Sequence, residues 1–258
     1  MLIDTHSHLF VEEFDTDLPE VIQRAKDAGV SKIFMPNIDL ASLPSLLDVC
    51  ERYKEYCFPM LGLHPTSVTS KYLEELYAME SYLKDGHPFV AIGEVGLDFY
   101  WDKTFMNEQL KALDKQLQWA IAYQLPVIIH CREAFSELYS CLEPYKSDNL
   151  RGIFHCFTGS VEMAERFMEF DGFLFGVNGV VTYKKSPLPE VLGKQIPLER
   201  IVLETDSPYL SPVPYRGKRN ESSYVIEVGK KIAEIYNLPV EEIGRVTTRN
   251  ALKLFCAG

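Results

Sequence analysis

Eight short apolar runs punctuate the chain, and longer amphipathic segments separate them. The runs are Leu2-Ile3 and residues 32–35, 58–63, 89–92, 126–129, 152–154, 173–177 and 201–203. Several are β-branched or aromatic, and most are bounded by Gly, Pro or a polar residue. They lack polar alternation, as strands do when helices cover both faces of a parallel sheet. Between them, apolar residues recur at helical spacing. Leu18, Val21, Ile22, Ala25 and Ala28 form one stripe, and Gly29 stops it. Leu110, Leu113, Leu117, Ala120 and Ile121 form a second, and Val225, Val228, Ile232 and Ile235 a third. Pro187, Pro189 and Pro197 leave room for only a short helix before the last run, while residues 239–255 supply an extra C-terminal helix. Eight strand–helix units in 258 residues predict an α/β fold, a single TIM (β/α)8 barrel with that extra helix, as one domain over residues 1–258. A doubly wound open sheet satisfies the same alternation.

The composition suits a large core: 47% of residues are hydrophobic and 24% charged, which excludes disordered, fibrous and coiled-coil chains. A net charge of −11 counts against a protein that coats duplex nucleic acid or an anionic membrane. The total does not say where the charges sit. Cysteines 50, 57, 131, 141, 156 and 256 make no CxxC pair and read as reduced, buried small hydrophobes. The opening residues are no basic, apolar leader, and no apolar run approaches the roughly 18 residues a spanning helix needs. A cytoplasmic location is expected, with no membrane partner.

Polar residues stand where the apolar runs end. His6 and His8 follow the first run two residues apart, and on an extended segment such residues point to the same side. Glu94 is placed at the close of the fourth strand, His130 of the fifth, His155 of the sixth and Asp206 of the eighth. Ligands sit at the carboxyl ends of barrel strands. One such histidine is commonly a hydrogen-bonded core residue. Four histidines and two carboxylates together point to metal, because burying them unpaired is costly. Six nitrogen and oxygen donors exceed one tetrahedral site and suit two cations about 3.5–4 Å apart. Glu94 is the expected bridge, with His6, His8 and Asp206 on one ion and His130 and His155 on the other. These donors admit Zn, Mn, Ni or Co as tight binders, and Mg for turnover.

The same segments resemble a known family. Asp4-Thr5-His6-Ser7-His8, Gly62-Leu63-His64-Pro65 and Gly93-Glu94-Val95-Gly96-Leu97-Asp98-Phe99-Tyr100 are similar to motifs of the TatD-type metal-dependent deoxyribonucleases, within the amidohydrolase superfamily. So are His130-Cys131-Arg132-Glu133-Ala134, His155-Cys156-Phe157-Thr158-Gly159, Glu204-Thr205-Asp206-Ser207-Pro208-Tyr209-Leu210 and Arg216-Gly217-Lys218-Arg219-Asn220. The matches run in order from residue 4 to about residue 220. The resemblance implies a TIM barrel, two divalent metals and hydrolysis of DNA phosphodiesters, as a 3′–5′ exonuclease on single strands. It places the family's ligands on the six residues already named.

The mechanism expected from these residues is attack on phosphorus by a metal-activated water, with Asp206 as base. His64, Tyr100, Arg132 and Arg216 are the expected substrate contacts, the aromatic ring stacking on a base. Core packing, an ion pair from Arg132 to Glu133 or Asp98, and a solvated loop are the competing assignments. Glu204 is expected to orient a ligand by hydrogen bonding. Arg216, Lys218 and Arg219 form the best local basic patch, which would let an acidic enzyme grip a few phosphates near a DNA end. A monomer is expected. The same chemistry could act on a carbonyl, so an ester or amide substrate such as D-aminoacyl-tRNA is the alternative. A binding protein on an inactive barrel is a third reading, opposed by the intact ligand set.

Overall fold

The computed structural model describes residues 1–84 and 86–255; Cys256 lies outside them. Its strands are β1 (Leu2–Asp4), β2 (Val30–Pro36), β3 (Cys57–Met60), β4 (Ile92–Asp98), β5 (Val127–Arg132), β6 (Gly152–Phe154), β7 (Phe173–Val177) and β8 (Ile201–Leu203). All pair in parallel, in the orders β1-β2-β3 and β4-β5-β6-β7-β8. Single parallel bridges join the two sheets at both seams, Leu61 to Ile92 and Ser7 to Ser207. Around this (β/α)8 barrel lie α1 (Leu18–Asp27), α2 (Leu43–Arg52), α3 (Tyr72–Glu80), α4 (Met106–Ala122), α5 (Phe135–Leu142), α6 (Val161–Phe167), α7 (Leu188–Gln195) and α8 (Val225–Tyr236). The extra helix is α9 (Val240–Phe255).

The three stripes read from the sequence largely face the core, although Ala28, Leu110, Ile121 and Ile235 are only partly buried and α4 also buries Gln109, Ala112, Gln116 and Trp119. In α1, Leu18, Val21, Ile22 and Ala25 are buried, and Gly29 ends the segment at φ +82°. The inner layer is separate. Ile3, Phe34, Met60, Ile128, Ile153 and Val202, one from each of six strands, cluster with Ala251 and Leu254 of α9. Phe255 stacks on Phe34 with ring centroids 3.8 Å apart. Thus α9 closes the amino-terminal end of the barrel and leaves the carboxyl-terminal end for polar groups. The described cysteines are free thiols; Cys50 and Cys57 are buried as expected, but Cys131, Cys141 and Cys156 are only partly buried. Among the described residues, no helix is long and apolar enough to cross a membrane.

Three strands depart from the reading: β3 stops at Met60, short of the apolar run at 58–63, and β4 and β5 run past the residues expected to close them. The apolar run at 89–92 places the fourth strand too early, and β4 runs on to Asp98 with all seven residues buried. Glu94 therefore lies inside the strand, and His130 inside β5, two residues short of its end. A hydrophobic-run reading stops at the first charged residue. Here the charged residue is buried because other polar groups surround it.

Candidate metal centre

Asp4 joins the two strand ends that start the site. Its carboxylate accepts hydrogen bonds from the Thr205 backbone N–H at 2.9 Å, the Thr205 hydroxyl at 2.6 Å and the His6 N–H at 3.3 Å. Burial pushes its pKa up to about 7, against those hydrogen bonds. The Asp206 N–H donates to the His6 carbonyl at 2.9 Å, so the residues after β1 and β8 are held side by side.

Glu94 occupies the middle of the pocket and presents one oxygen to each side. Its Oε2 lies 3.1 Å from His6 Nε2 and 3.7 Å from His8 Nε2. Its Oε1 lies 3.0 Å from His130 Nδ1, 3.4 Å from His64 Nε2 and 3.8 Å from His155 Nε2. Asp206 Oδ1 stands 3.6–3.7 Å from the Nε2 atoms of His6, His8 and His155. The six residues singled out from strand ends therefore converge, and His64 joins them.

The electrostatics of this cluster call for positive charge. Burial alone would raise the Glu94 carboxyl, yet His6, His64, His155 and His130 hold it well below the usual range. Asp206 likewise stays low, because His155, His8 and His6 outweigh its burial. Burial would depress His155, but Glu204, Glu94 and Asp206 push it up to about 10. His130 rises to about 9, since Asp98 and Glu94 outweigh burial. Burial and then His155 drive His6 down to about 4.

The donor set fits divalent ions. Three groups have donor atoms within 4.8 Å of one another: His6, His8 and Asp206; His6, His155 and Glu204; and His64, Glu94 and His130. His6 Nδ1, His8 Nδ1 and Glu204 Oε2 are buried here without hydrogen-bond partners. His87 Nδ1, Trp119 Nε1 and Arg151 Nε are unpartnered too, outside the cluster, so the fit rests on the convergence of imidazole nitrogens and carboxylate oxygens. The first group is the expected one, but His155 falls with His6 and Glu204, and Glu94 groups with His130 and His64 alone.

The surrounding residues are also placed. Glu204 is buried, with Oε1 3.0 Å from His155 Nδ1 and accepting from the Cys156 N–H at 2.8 Å. This agrees with an orienting role. His64 caps a short turn, its Nδ1 accepting from the Thr66 N–H at 3.2 Å, while its Nε2 faces Glu94. Its two assignments are thus compatible. Arg132 makes neither expected ion pair; its guanidinium lies 3.7 Å over the Tyr100 ring and 5.1 Å over Trp101. Arg216 lies 4.2 Å over the Tyr183 ring. Lys218 is exposed, but Arg219 turns away from the mouth and is bidentate to Asp17 at 2.7–2.8 Å, which removes it from the expected basic patch. Sequence reasoning missed Asp98, whose Oδ2 lies 2.9 Å from His130 Nε2. It ends an apolar run just as the chosen residues do, which was the available signal.

Comparison with known proteins identifies the family. A family model described as TatD related DNase matches residues 3–256. The chain is 40% identical over 255 residues to the metal-dependent hydrolase YabD of Bacillus subtilis, covering 99% of both chains. It is 30% identical over 259 residues to a protein of Pectobacterium parmentieri named 3′-5′ ssDNA/RNA exonuclease TatD, covering 98% of this chain and 99% of that one. The crystal structure of YjjV, a TatD homolog from Escherichia coli, superposes with a TM-score of 0.89 at 33% identity, covering 99% of this chain and 98% of that one.

Proposed function

Since the chain belongs to the family of TatD-related deoxyribonucleases and is a metal-dependent hydrolase, we propose that it removes nucleotides from the 3′ end of single-stranded DNA. The observation that carries this reading is the convergence of His6, His8, His130 and His155 on the two oxygens of Glu94, with Asp206 facing the imidazoles of His6, His8 and His155. His6, His8 and Asp206 would hold one divalent cation, and His130 and His155 a second, with Glu94 shared between them. Bound there, the cations supply Lewis acidity and a water acidified from 15.7 to about 7.

The chain's own groups do the rest. Asp206 takes the proton of the attacking water: its carboxylate is kept ionised by three imidazoles and faces the pocket. Glu204 fixes the His155 ring from behind. His64 donates from Nε2 to a phosphate oxygen. Arg132 and Arg216, which form no ion pair among the described residues, contact flanking phosphates, and Tyr100 stacks on a base. The relative named as an exonuclease on single-stranded DNA and RNA supports this substrate class.

The test follows nucleotide release from end-labelled single-stranded DNA with Mn²⁺ or Mg²⁺, beside deacylation of D-aminoacyl-tRNA. Nucleotide release from 3′ ends is expected. Glu94→Gln and Asp206→Asn, each still folded, should lower it about a thousandfold, the scale of several kcal/mol of lost transition-state stabilisation. Rapid deacylation without nucleotide release would overturn the nuclease reading.

A further inference from the structure

The carboxylate of Asp98 faces two ways. Oδ2 lies 2.9 Å from His130 Nε2, and the other ring nitrogen, Nδ1, lies 3.0 Å from Glu94 in the donor cluster. Oδ1 accepts from the Tyr100 N–H at 3.0 Å and the Trp101 N–H at 3.3 Å. Asp98 is itself held at the end of β4. The buried Gln109 of α4 accepts from its N–H at 2.9 Å and donates to its carbonyl at 3.2 Å.

The turn that Oδ1 fixes carries two exposed rings, Tyr100 at 48% and Trp101 at 69%. They meet edge to face at 5.0 Å, with the Arg132 guanidinium over both. Arg132 is the β5 residue opposite Asp98, and its carbonyl accepts from the Phe99 N–H at 2.9 Å. One carboxylate thus touches a member of the donor cluster and the backbone of an aromatic–guanidinium platform at the pocket mouth.

We propose that Asp98 is a positioning residue that sets both at once: the His130 tautomer, and the platform that meets substrate. The first role rests on the metal reading given above. An Nε2–H donated to Asp98 leaves the Nδ1 lone pair free for a cation, the outer partner that ligating histidines commonly have. The second role is independent of metal.

Asp98→Asn separates them. The amide oxygen can still accept from Tyr100 and Trp101. The amide nitrogen can only donate, so His130 must accept at Nε2 and carry its proton on Nδ1, where it obstructs coordination. Asp98→Ala removes both interactions. The experiment titrates Mn²⁺ into chelator-stripped wild type, Asp98→Asn, Asp98→Ala and His130→Ala by calorimetry. It also measures iodide quenching of tryptophan in the metal-free proteins. Trp119, the other tryptophan, is 2% exposed, so iodide reads Trp101.

Asp98→Asn should lose at least about tenfold in affinity at one cation site, the site that His130→Ala also weakens, and keep wild-type quenching. Asp98→Ala should lose both. Wild-type cation affinity in Asp98→Asn would overturn the tautomer role; wild-type quenching in Asp98→Ala would overturn the platform role. If Asp98→Ala does not fold, Asp98→Leu replaces it: similar in shape but with no acceptor, it should lose both cation affinity and wild-type quenching, and wild-type quenching in it would overturn the platform role. A wild-type protein that binds no Mn²⁺ defeats the two-cation reading and the tautomer role with it. The quenching contrast between Asp98→Asn and Asp98→Ala still decides the platform role.

Discussion

A methyl group at residue 176 would overlap the Glu204 carboxylate, whose Oε2 rests against the Gly176 backbone. Gly176→Ala should therefore displace Glu204 from His155 and from the Cys156 N–H. Cation affinity is expected to fall about 10–100-fold, as when an outer partner of a ligand is lost. Calorimetric titration checks this, and wild-type affinity in a folded variant would contradict the orienting role of Glu204. At this scale the sequence was most legible where one residue does one thing. His6, His8, His130, His155, Glu94 and Asp206 could be picked because each breaks an apolar run. Arg219 could not be judged that way. Its partner Asp17 lies 202 positions away on the chain, and only folding brings them together.

The elements behave as units. The segment after β8 is fastened to α1 by Arg219 on Asp17 and by Arg24 on Glu221 at 2.7 Å. Hydrogen bonding from Arg219 holds the Asp17 carboxyl below its usual 3.8. A depressed carboxyl adds stability that is present above pH 3.8 and is lost as pH falls through the lower folded value. Asp17→Asn should flatten the acid limb of an unfolding curve by about 1 kcal/mol or less, because the pair is partly solvated. Acid melts of both proteins measure it. At the opposite end, Leu254 of α9 is buried among the inner residues of six strands. Leu254→Ala should cost about 2–4 kcal/mol in denaturant melts and leave kcat unchanged, since α9 closes the end away from the donor cluster. A large drop in kcat at full folding would show that α9 bears on the site. The helices were readable from their stripes because a 3.6-residue period is a local property. The extent of β4 was not, because burial of Gly93 to Asp98 depends on neighbours from β3 and β5.

For the whole molecule, a net charge of −11 leaves little scope for extended binding to a polyanion. Arg132 and Arg216 form no ion pair among the described residues, and two such arginines can neutralise only a few phosphates. Binding of single-stranded DNA to the inactive Asp206→Asn protein should then fall with log salt at a slope of about −1.4, from roughly −0.7 per phosphate contact. Fluorescence anisotropy across a salt series measures it. A slope steeper than about −5 would mean a long basic track that the surface does not offer.

By itself the sequence determined the class of fold, the order of strands and helices, and the types of atom available for metal chemistry. Those follow from periodicity and residue identity along short stretches. Only the tertiary structure decided which atoms share the pocket, that each oxygen of Glu94 serves a different side, that Asp98 backs His130, and that Arg219 is spent on Asp17. Such pairings depend on parallel strands bringing distant carboxyl ends to one face. A distance of a few ångströms across the barrel mouth leaves no trace in the spacing of residues along the chain.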